Sequence, residues 1–435
     1  MIEPNSSGIL ETDFVIIGAG IAGVTAFAFL STRAKCILCE RKPPHQKYSL
    51  SRVMCNHSFQ FLPFLDASNN QVFPRTHLYT IYASQQYEAK ISADEFGSPL
   101  GKFLDEYEFL LAMEQIGCNN GGIIKFNTEI NQIEITQERV ICQDTTGNLI
   151  HAKAILLGTG SDFTLSNKLG FAQPDTVNWV AATFHGTPEQ IEKNVPQYIF
   201  RMHPKMSKDG PLALNIGRDF FNIGLISKEP FEVIEERFLR ILKNYQPIRN
   251  YFTGLTPNPD SIHREQLQKG VGVKHPIKNF VKDRVVLIGD AAGLVTPMYY
   301  EGVLGAFAST RFASETLIEI HKTTGIFSAA NLKQYERKVY EILLKRYFVS
   351  GTRSEALFLT SGSDAEVIWD TYIQVLKKYP QARRNVHYVF GCDDLANYPL
   401  EHDEEVGELI FKELPLSRKV MLTPLFLRMK LEKNP

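Results

Sequence analysis

The chain has 435 residues, 44% of them hydrophobic and 22% charged, as in an ordinary soluble globular protein, and its length calls for two or three subdomains. A formal net charge of −1 excludes the basic footprint of a nucleic-acid-binding protein. No apolar run reaches bilayer-spanning length, and the polar stretch Met1–Thr12 lacks the apolar core of a secretory signal, so a cytoplasmic chain with reduced thiols is expected.

The first element is the most specific. Phe14-Val15-Ile16-Ile17 is a short buried strand that runs into Gly18-Ala19-Gly20-Ile21-Ala22-Gly23, a Gly-x-Gly-x-x-Gly turn. A helix from Ile21 to about Ser31 and a strand from Lys35 to Cys39 follow, ending at Glu40. This is a βαβ unit for a dinucleotide. Gly18 allows the tight turn, Gly20 lets a pyrophosphate approach the backbone, and Gly23 lets helix and strand pack closely. Ile21 and Ala22 open the helix whose N–H groups and dipole face the phosphates. Glu40, 22 residues on from Gly18, is placed to accept from the ribose hydroxyls, and Arg41 to stack on or bond the adenosine half. Phe27 is bulky for a helix that must lie against a sheet. Cys36 and Cys39 form C-x-x-C inside a strand, which turns them to opposite faces, so buried free thiols are expected rather than a zinc or redox pair. No metal site is expected.

An irregular stretch with an aromatic strand at His77–Ser84 leads to Phe103–Ala112, whose apolar spacing predicts a helix. Short strands are predicted at Ile123–Phe126, Ile130–Ile135, Arg139–Gln143 and Ile150–Gly158. Residues 176–260 alternate as an antiparallel sheet, interrupted by a helix at Phe231–Asn244. Val285–Ile288 is again a short apolar strand, followed by Gly289-Asp290-Ala291-Ala292-Gly293. Long helices are predicted at Glu301–His321 and Ala330–Tyr347, and a mostly helical segment runs to the end. The fold class is therefore α/β: a discontinuous Rossmann-like nucleotide-binding domain (1–60, 99–175 and 265–325), an inserted antiparallel β-sheet substrate domain (61–98 and 176–264) and a helical C-terminal cap (326–435).

The run Val285-Val286-Leu287-Ile288-Gly289-Asp290-Ala291-Ala292-Gly293 with Pro297-Met298-Tyr299-Tyr300-Glu301-Gly302 resembles the Gly-Asp motif of flavoproteins with the p-hydroxybenzoate hydroxylase-type fold. It is most similar to the geranylgeranyl reductase group, which has Gly-Asp-Ala-Ala-Gly followed by Pro-x-x-Gly-Glu-Gly. The aromatic hydroxylases more often have His at the position of Gly293. Lys102 and Asp105 match an Arg-x-x-Asp segment of the family, with Lys in place of Arg. The resemblance implies FAD as cofactor. Gly289 and Asp290 would meet the ribityl chain, Pro297 would fix the backbone beside the ring, and the helix opening near Gly302 would aim its dipole at the flavin, worth up to about 2 kcal/mol. Lys102 joins these as a cofactor contact.

Thr159 stands where the family has Asp, with Asp162 displaced from it, and Tyr300 replaces a family Gly. NAD(P)H is the reductant the resemblance implies, and a separate reductase partner is the alternative. Candidate catalytic residues are Cys55 and His57 in the run Arg52–His57, and Tyr299 and Tyr300 beside the second motif; His57 is considered as a proton donor. The expected function is an FAD-dependent oxidoreductase, a reductase or dehydrogenase moving hydride to or from a small apolar substrate, isoprenoid or lipid among the choices. An FAD- and NAD(P)H-dependent monooxygenase and a catalytically idle flavin-binding protein stay open. Flavin halogenases carry a Trp-rich signature, which Trp179 and Trp369 do not form. The stretch from Leu409 to Leu431 mixes apolar and basic residues, so peripheral membrane contact is the alternative to a packed helical cap; Pro415 and Pro424 argue against one long helix.

Overall fold

The computed structural model describes residues 9–201, 210–359 and 364–431. Its centre is a six-stranded sheet in the order Val281–Lys282, Val285–Leu287, Ala154–Leu157, Phe14–Ile17, Cys36–Cys39, Ile123–Lys125. All neighbours are parallel except the Val281–Lys282 edge. Helices cover parallel strands on their faces, so the strands are apolar throughout: Phe14, Val15, Ile16, Leu156 and Val286 are fully buried. The helices Ile21–Ser31, Glu106–Asn119 and Val303–Lys322 pack together beside this sheet. Phe27 fits because two glycines make room for it. A Cβ on Gly117 would lie 2.1 Å from the Phe27 ring, and one on Gly122 would lie 2.4 Å from it.

A small sheet, Leu10–Glu11, Leu149–Ala152, Val140–Asp144 and Ile130–Ile135, flanks the centre. The expected single strand Ile150–Gly158 is two strands in different sheets, turning at Lys153. Phe103–Ala112 also differs from expectation. Gly101–Asp105 is a strand between Ser51–Cys55 and Arg75–His77, and the helix is Glu106–Asn119. Phe103 and Leu104 are buried on opposite sides of that strand, and a short apolar run of this kind does not separate strand from helix. Asp105 starts the helix by accepting a hydrogen bond from Glu108 N at 3.2 Å.

The second large layer is a seven-stranded sheet: Gln268–Lys274, Asp175–His185, Phe220–Ser227, Leu212–Ile216, Tyr198–Arg201, Tyr79–Ala83, Glu88–Ser92. Gln268–Lys274 pairs with Asp175–His185, so this layer extends past residue 264. Helices from Ala329 onward close over both layers. The expected helix Ala330–Tyr347 is α-helical over Ala329–Val339 and π-helical over Tyr340–Phe348, followed by Val349–Phe358, Ala365–Lys378 and Pro380–Gly391. Leu400–Glu413 and Leu416–Leu431 are separate helices broken before Pro415, whereas Pro424 lies inside the second. Among the described residues no helix is long and apolar enough to cross a membrane.

Side-chain contacts on both layers seat these helices, among them the following. Trp369 Nε1 donates to Ala83 O at 2.9 Å. Lys274 on the edge strand forms a buried ion pair with Glu355 of Val349–Phe358, and His275 Nε2 lies 3.0 Å from the other Glu355 oxygen.

Candidate functional site

The parallel register aligns three strand ends, and each ends in glycine. Gly18 N donates to Cys39 O at 2.8 Å, Gly158 N to Ile17 O at 2.9 Å, and Ile288 N, just before Gly289, to Leu157 O at 3.1 Å. Gly18 has φ +99° and lies so close to Gly158 that a Cβ would sit 2.6 Å from Gly158 O. A Cβ on Gly23 would lie 1.7 Å from Gly18 O, so any side chain there breaks the turn. Gly20 is the opposite case: a Cβ there meets nothing within 4 Å. It caps the helix Ile21–Ser31 with no side-chain hydrogen bond, and the first turn, with Ile21 and Ala22, holds no acid. Free N–H groups, an uncompensated dipole and open space are what a pyrophosphate requires.

Glu40 closes the same corner. Its Oε2 accepts from Ala19 N at 2.7 Å and its Oε1 from Lys42 N at 2.9 Å, leaving lone pairs on both oxygens for a ribose. Arg41 pairs with Asp162 at 2.6 Å. Gly18, Gly20, Glu40, Arg41, Gly160 and Asp162 share a cleft of about 370 Å³. Asp162 thus reaches the cleft, while the Thr159 hydroxyl donates back to Asp162 O at 2.7 Å. Lys102 is elsewhere: it pairs with Met54 and Thr76 in the three-stranded sheet and does not line this cleft.

The second glycine corner lies against the first. A Cβ on Gly289 would be 3.0 Å from the Ala22 Cβ, and Thr310 Oγ1 donates to Ala22 O at 3.2 Å. Gly289–Ala292 is a short 3-10 turn ended by Gly293 at φ +76°. A Cβ on Gly293 would sit 2.2 Å from His275 O, so this glycine answers a backbone contact. Asp290 faces the start of the helix Val303–Lys322, with Oδ1 2.9 Å from where a Gly302 Cβ would lie. Burial raises the Asp290 pKa, opposed by Arg52, whose Nε pairs with Glu106 at 2.6 Å. Arg52 is therefore the cation at this corner. Pro297 packs on Gly351, whose Cβ would lie 2.8 Å from Pro297 O, so a C-terminal helix clamps the loop.

Met298 (φ +72°) and Tyr300 (φ +52°) both adopt left-handed backbone, which costs roughly 1–3 kcal/mol each for such residues. This explains why a glycine suits the Tyr300 position. The Tyr300 ring packs against Phe163, Val273 and Val295. The Tyr299 hydroxyl lies 3.3 Å from that of Tyr82, and burial lifts its pKa to about 12. Cys55 is buried, and burial, then the Glu301 charge, pushes its thiol well above the usual range. His57 is buried edge-on to Tyr347 at 5.2 Å, with its pKa forced by burial to about 3. It is neutral at physiological pH and brings no imidazolium proton.

Glu301 is the titrating group at this corner. Burial raises its carboxyl to about 7, although Leu304 N donates to Oε1 at 3.1 Å. Sequence reasoning passed over Glu301 and Arg52 because their signal was only membership of motifs quoted for other residues. It also missed a second cavity, of about 380 Å³, lined by Tyr299 and by side chains of the C-terminal helices, among them Leu357, Phe358, Val389 and Ile410. Among the described residues no group of three or more His, Cys, Asp or Glu could hold a metal ion.

No family model matches the chain. A curated relative, the 1H-pyrrole-2-carbonyl-[peptidyl-carrier protein] chlorinase of Pseudomonas fluorescens, is 21% identical over 277 residues, 60% of this chain and 56% of that protein. The chain thus spans little more than half the length of this relative. Among solved structures, a geranylgeranyl bacteriochlorophyll reductase-like protein from Thermoplasma acidophilum superposes with a TM-score of 0.73 at 14% identity, covering 92% of this chain and all of that one. The flavin-dependent brominase Bmp2 gives 0.68 at 15% identity over 92% and 98% of the two chains. A variant of the halogenase PltM in complex with FAD gives 0.67 at 15% over 97% and 96%. The chain has the fold of these flavoproteins. Halogenases stand among the neighbours although the tryptophan signature is missing, because the fold rests on glycine corners and sheet register.

Proposed function

We propose that this chain is an FAD-dependent oxidoreductase whose apolar substrate binds between the second glycine corner and the C-terminal helices. One observation carries this reading: Tyr299 belongs both to the loop between Asp290 and Gly302 and to the wall of the 380 Å³ cavity. That size is typical of small-molecule sites. The open cradle at Gly20, the free lone pairs of Glu40 and the Asp290 carboxylate against a helix N-terminus fit the two ends of FAD. Gly18, Gly20, Ile21, Ala22 and Glu40 would hold the adenosine diphosphate half; Gly289, Asp290, Pro297 and Gly302 the ribityl and ring half. Bound there, the flavin would supply two-electron chemistry.

The chain's own residues then orient and protonate. The Glu301 carboxyl, raised to about 7, gains and loses its proton within the neutral range, and the Tyr299 hydroxyl keeps its proton throughout it. We favour a reductase or dehydrogenase, on the Gly-Asp-Ala-Ala-Gly motif and the reductase-like neighbour. Oxygen-dependent chemistry, hydroxylation or halogenation, is the second reading, favoured by the chlorinase and brominase likenesses.

Stopped-flow reduction of the bound flavin by NADH and NADPH, with and without candidate lipids and aromatics, tests the proposal. Substrate-accelerated flavin turnover without oxygen uptake supports the reductase. Oxygen uptake, with or without halide dependence, supports the second reading. A flavin that no nicotinamide and no reduced partner protein reduces would leave only a holding role. Protein that is colourless and cannot be reconstituted with FAD refutes the cofactor assignment.

A further inference from the structure

The outer face of the helix Leu416–Leu431 is apolar where a surface helix is normally polar. Among the described residues, the three most exposed large apolar side chains are Leu416, Val420 and Met421, at 78%, 73% and 61% exposure. The exposed positions 416, 417, 420, 421 and 424 recur at helical spacing, so these three form one stripe, continued by Pro424 and with Ser417 as its polar member. The opposite side of the helix faces the protein: Leu422 is buried, and Thr423 is part of the wall of the 380 Å³ cavity. Single exposed apolar residues are ordinary, but a contiguous group marks a surface that meets a membrane or a partner.

The charge around the stripe narrows the choice. From Lys412 onward the sequence has six basic residues, Lys412, Arg418, Lys419, Arg428, Lys430 and Lys433, against Glu413 and Glu432, in a chain whose net charge is −1. Arg418 pairs with Asp364 and Glu413 with Lys378, and Lys419 Nζ donates to Lys412 O at 2.7 Å. The acids of the preceding helix, Glu401, Glu404, Glu405 and Glu408, all stand before Lys412, so the positive charge goes with the stripe. A second copy of the chain fits this face badly. Two-fold pairing of the stripe would set a basic segment against itself, and three side chains fall far short of the about 800 Å² per partner of a standard interface. An anionic lipid surface matches both properties: it takes apolar side chains into its headgroup boundary and attracts the cations beside them.

We propose that the outer face of Leu416–Leu431 seats the protein on a lipid surface with anionic headgroups. Co-sedimentation of the full chain with vesicles of phosphatidylcholine, alone or mixed with phosphatidylglycerol, tests it. The wild type binds the mixed vesicles about tenfold more tightly than phosphatidylcholine alone, and raised salt removes most of that preference. Leu416→Gln, Val420→Gln and Met421→Gln together weaken binding to the mixed vesicles about tenfold or more, with circular dichroism and flavin content unchanged. In the unaltered protein, mixed vesicles slow the oxidation of Met421 by peroxide, read by mass spectrometry of its peptide.

Wild-type protein that stays in solution with the mixed vesicles, equal binding to the two kinds of vesicle, a Met421 oxidation rate that vesicles do not change, or a triple variant that pellets like the wild type overturns the proposal. So does a lipid-free dimer, seen by sedimentation equilibrium, that the triple variant dissolves, since the stripe then belongs to a second copy. The wild-type pelleting and oxidation series decide even where the variant does not fold. Vesicle binding by flavin-free protein keeps this proposal, so it and the cofactor assignment fail separately.

Discussion

Glu301→Gln isolates the electrostatics of the second glycine corner. Burial moves the carboxyl from 4.5 to about 7. A group that binds its proton more tightly when folded than when unfolded stabilises fully below the lower value and loses that contribution as pH rises to the higher. At 1.36 kcal/mol per pH unit, the interval is worth about 3 kcal/mol. Gln keeps an oxygen for the Leu304 N–H, so the helix start is preserved and only the titration is removed. Asp290 and Arg52, the charged neighbours, act on Glu301 in opposite directions and are common to both proteins. Urea unfolding of flavin-free protein, followed by circular dichroism, should therefore show the variant gaining about 2–3 kcal/mol over the wild type between about pH 5 and about pH 8. A difference that does not change across that range refutes the assignment of a high carboxyl pKa to Glu301.

Three further outcomes are expected. Asp290→Ala removes a charged acceptor worth about 1.5–3 kcal/mol, so ultrafiltration should show FAD retained roughly ten- to hundredfold less well, and an unchanged Kd would remove Asp290 from the site. Gly23→Ala places a methyl 1.7 Å from Gly18 O and should cost about 2 kcal/mol or more in thermal unfolding together with loss of flavin. Lys274→Met removes the buried cation beside Glu355 and leaves that carboxylate His275 Nε2, 3.0 Å away, so it should cost about 1–3 kcal/mol, part of it recovered when Glu355→Leu is added; a loss that persists in full in the double variant would mean that packing, not charge, decides this contact.

The parts of the fold that were legible in the sequence are those whose cause is local. Phe14–Gly23 shows its strand, its turn and its helix within ten residues, because the apolar run, the glycine spacing and the helix start all stand side by side in the sequence. Gly289–Gly293 is legible because it follows the apolar run Val285–Ile288 directly, although the contacts its glycines answer, Ala22 and His275, lie far off. Phe103–Ala112 was misjudged because burial on two faces erases the periodicity that separates strand from helix. Phe27 looked out of place because its compensation, Gly117 and Gly122, lies about ninety positions further on. The cavity was invisible for the same cause on a larger scale: Tyr299 and Ile410 are more than a hundred residues apart, and nothing in either neighbourhood points to the other. Glu301 could be seen, but its titration depends on burial that only the assembled helices provide.

The Trp369 contact with Ala83 has a practical consequence. The chain has two tryptophans, and Trp369 is fully enclosed where a C-terminal helix meets the seven-stranded layer, whereas Trp179 is partly open to solvent. The two indoles should therefore emit at different wavelengths. Any lifting of the helices from the sheet would redden the bluer component alone, so the molecule carries an intrinsic optical gauge of whether its roof is on.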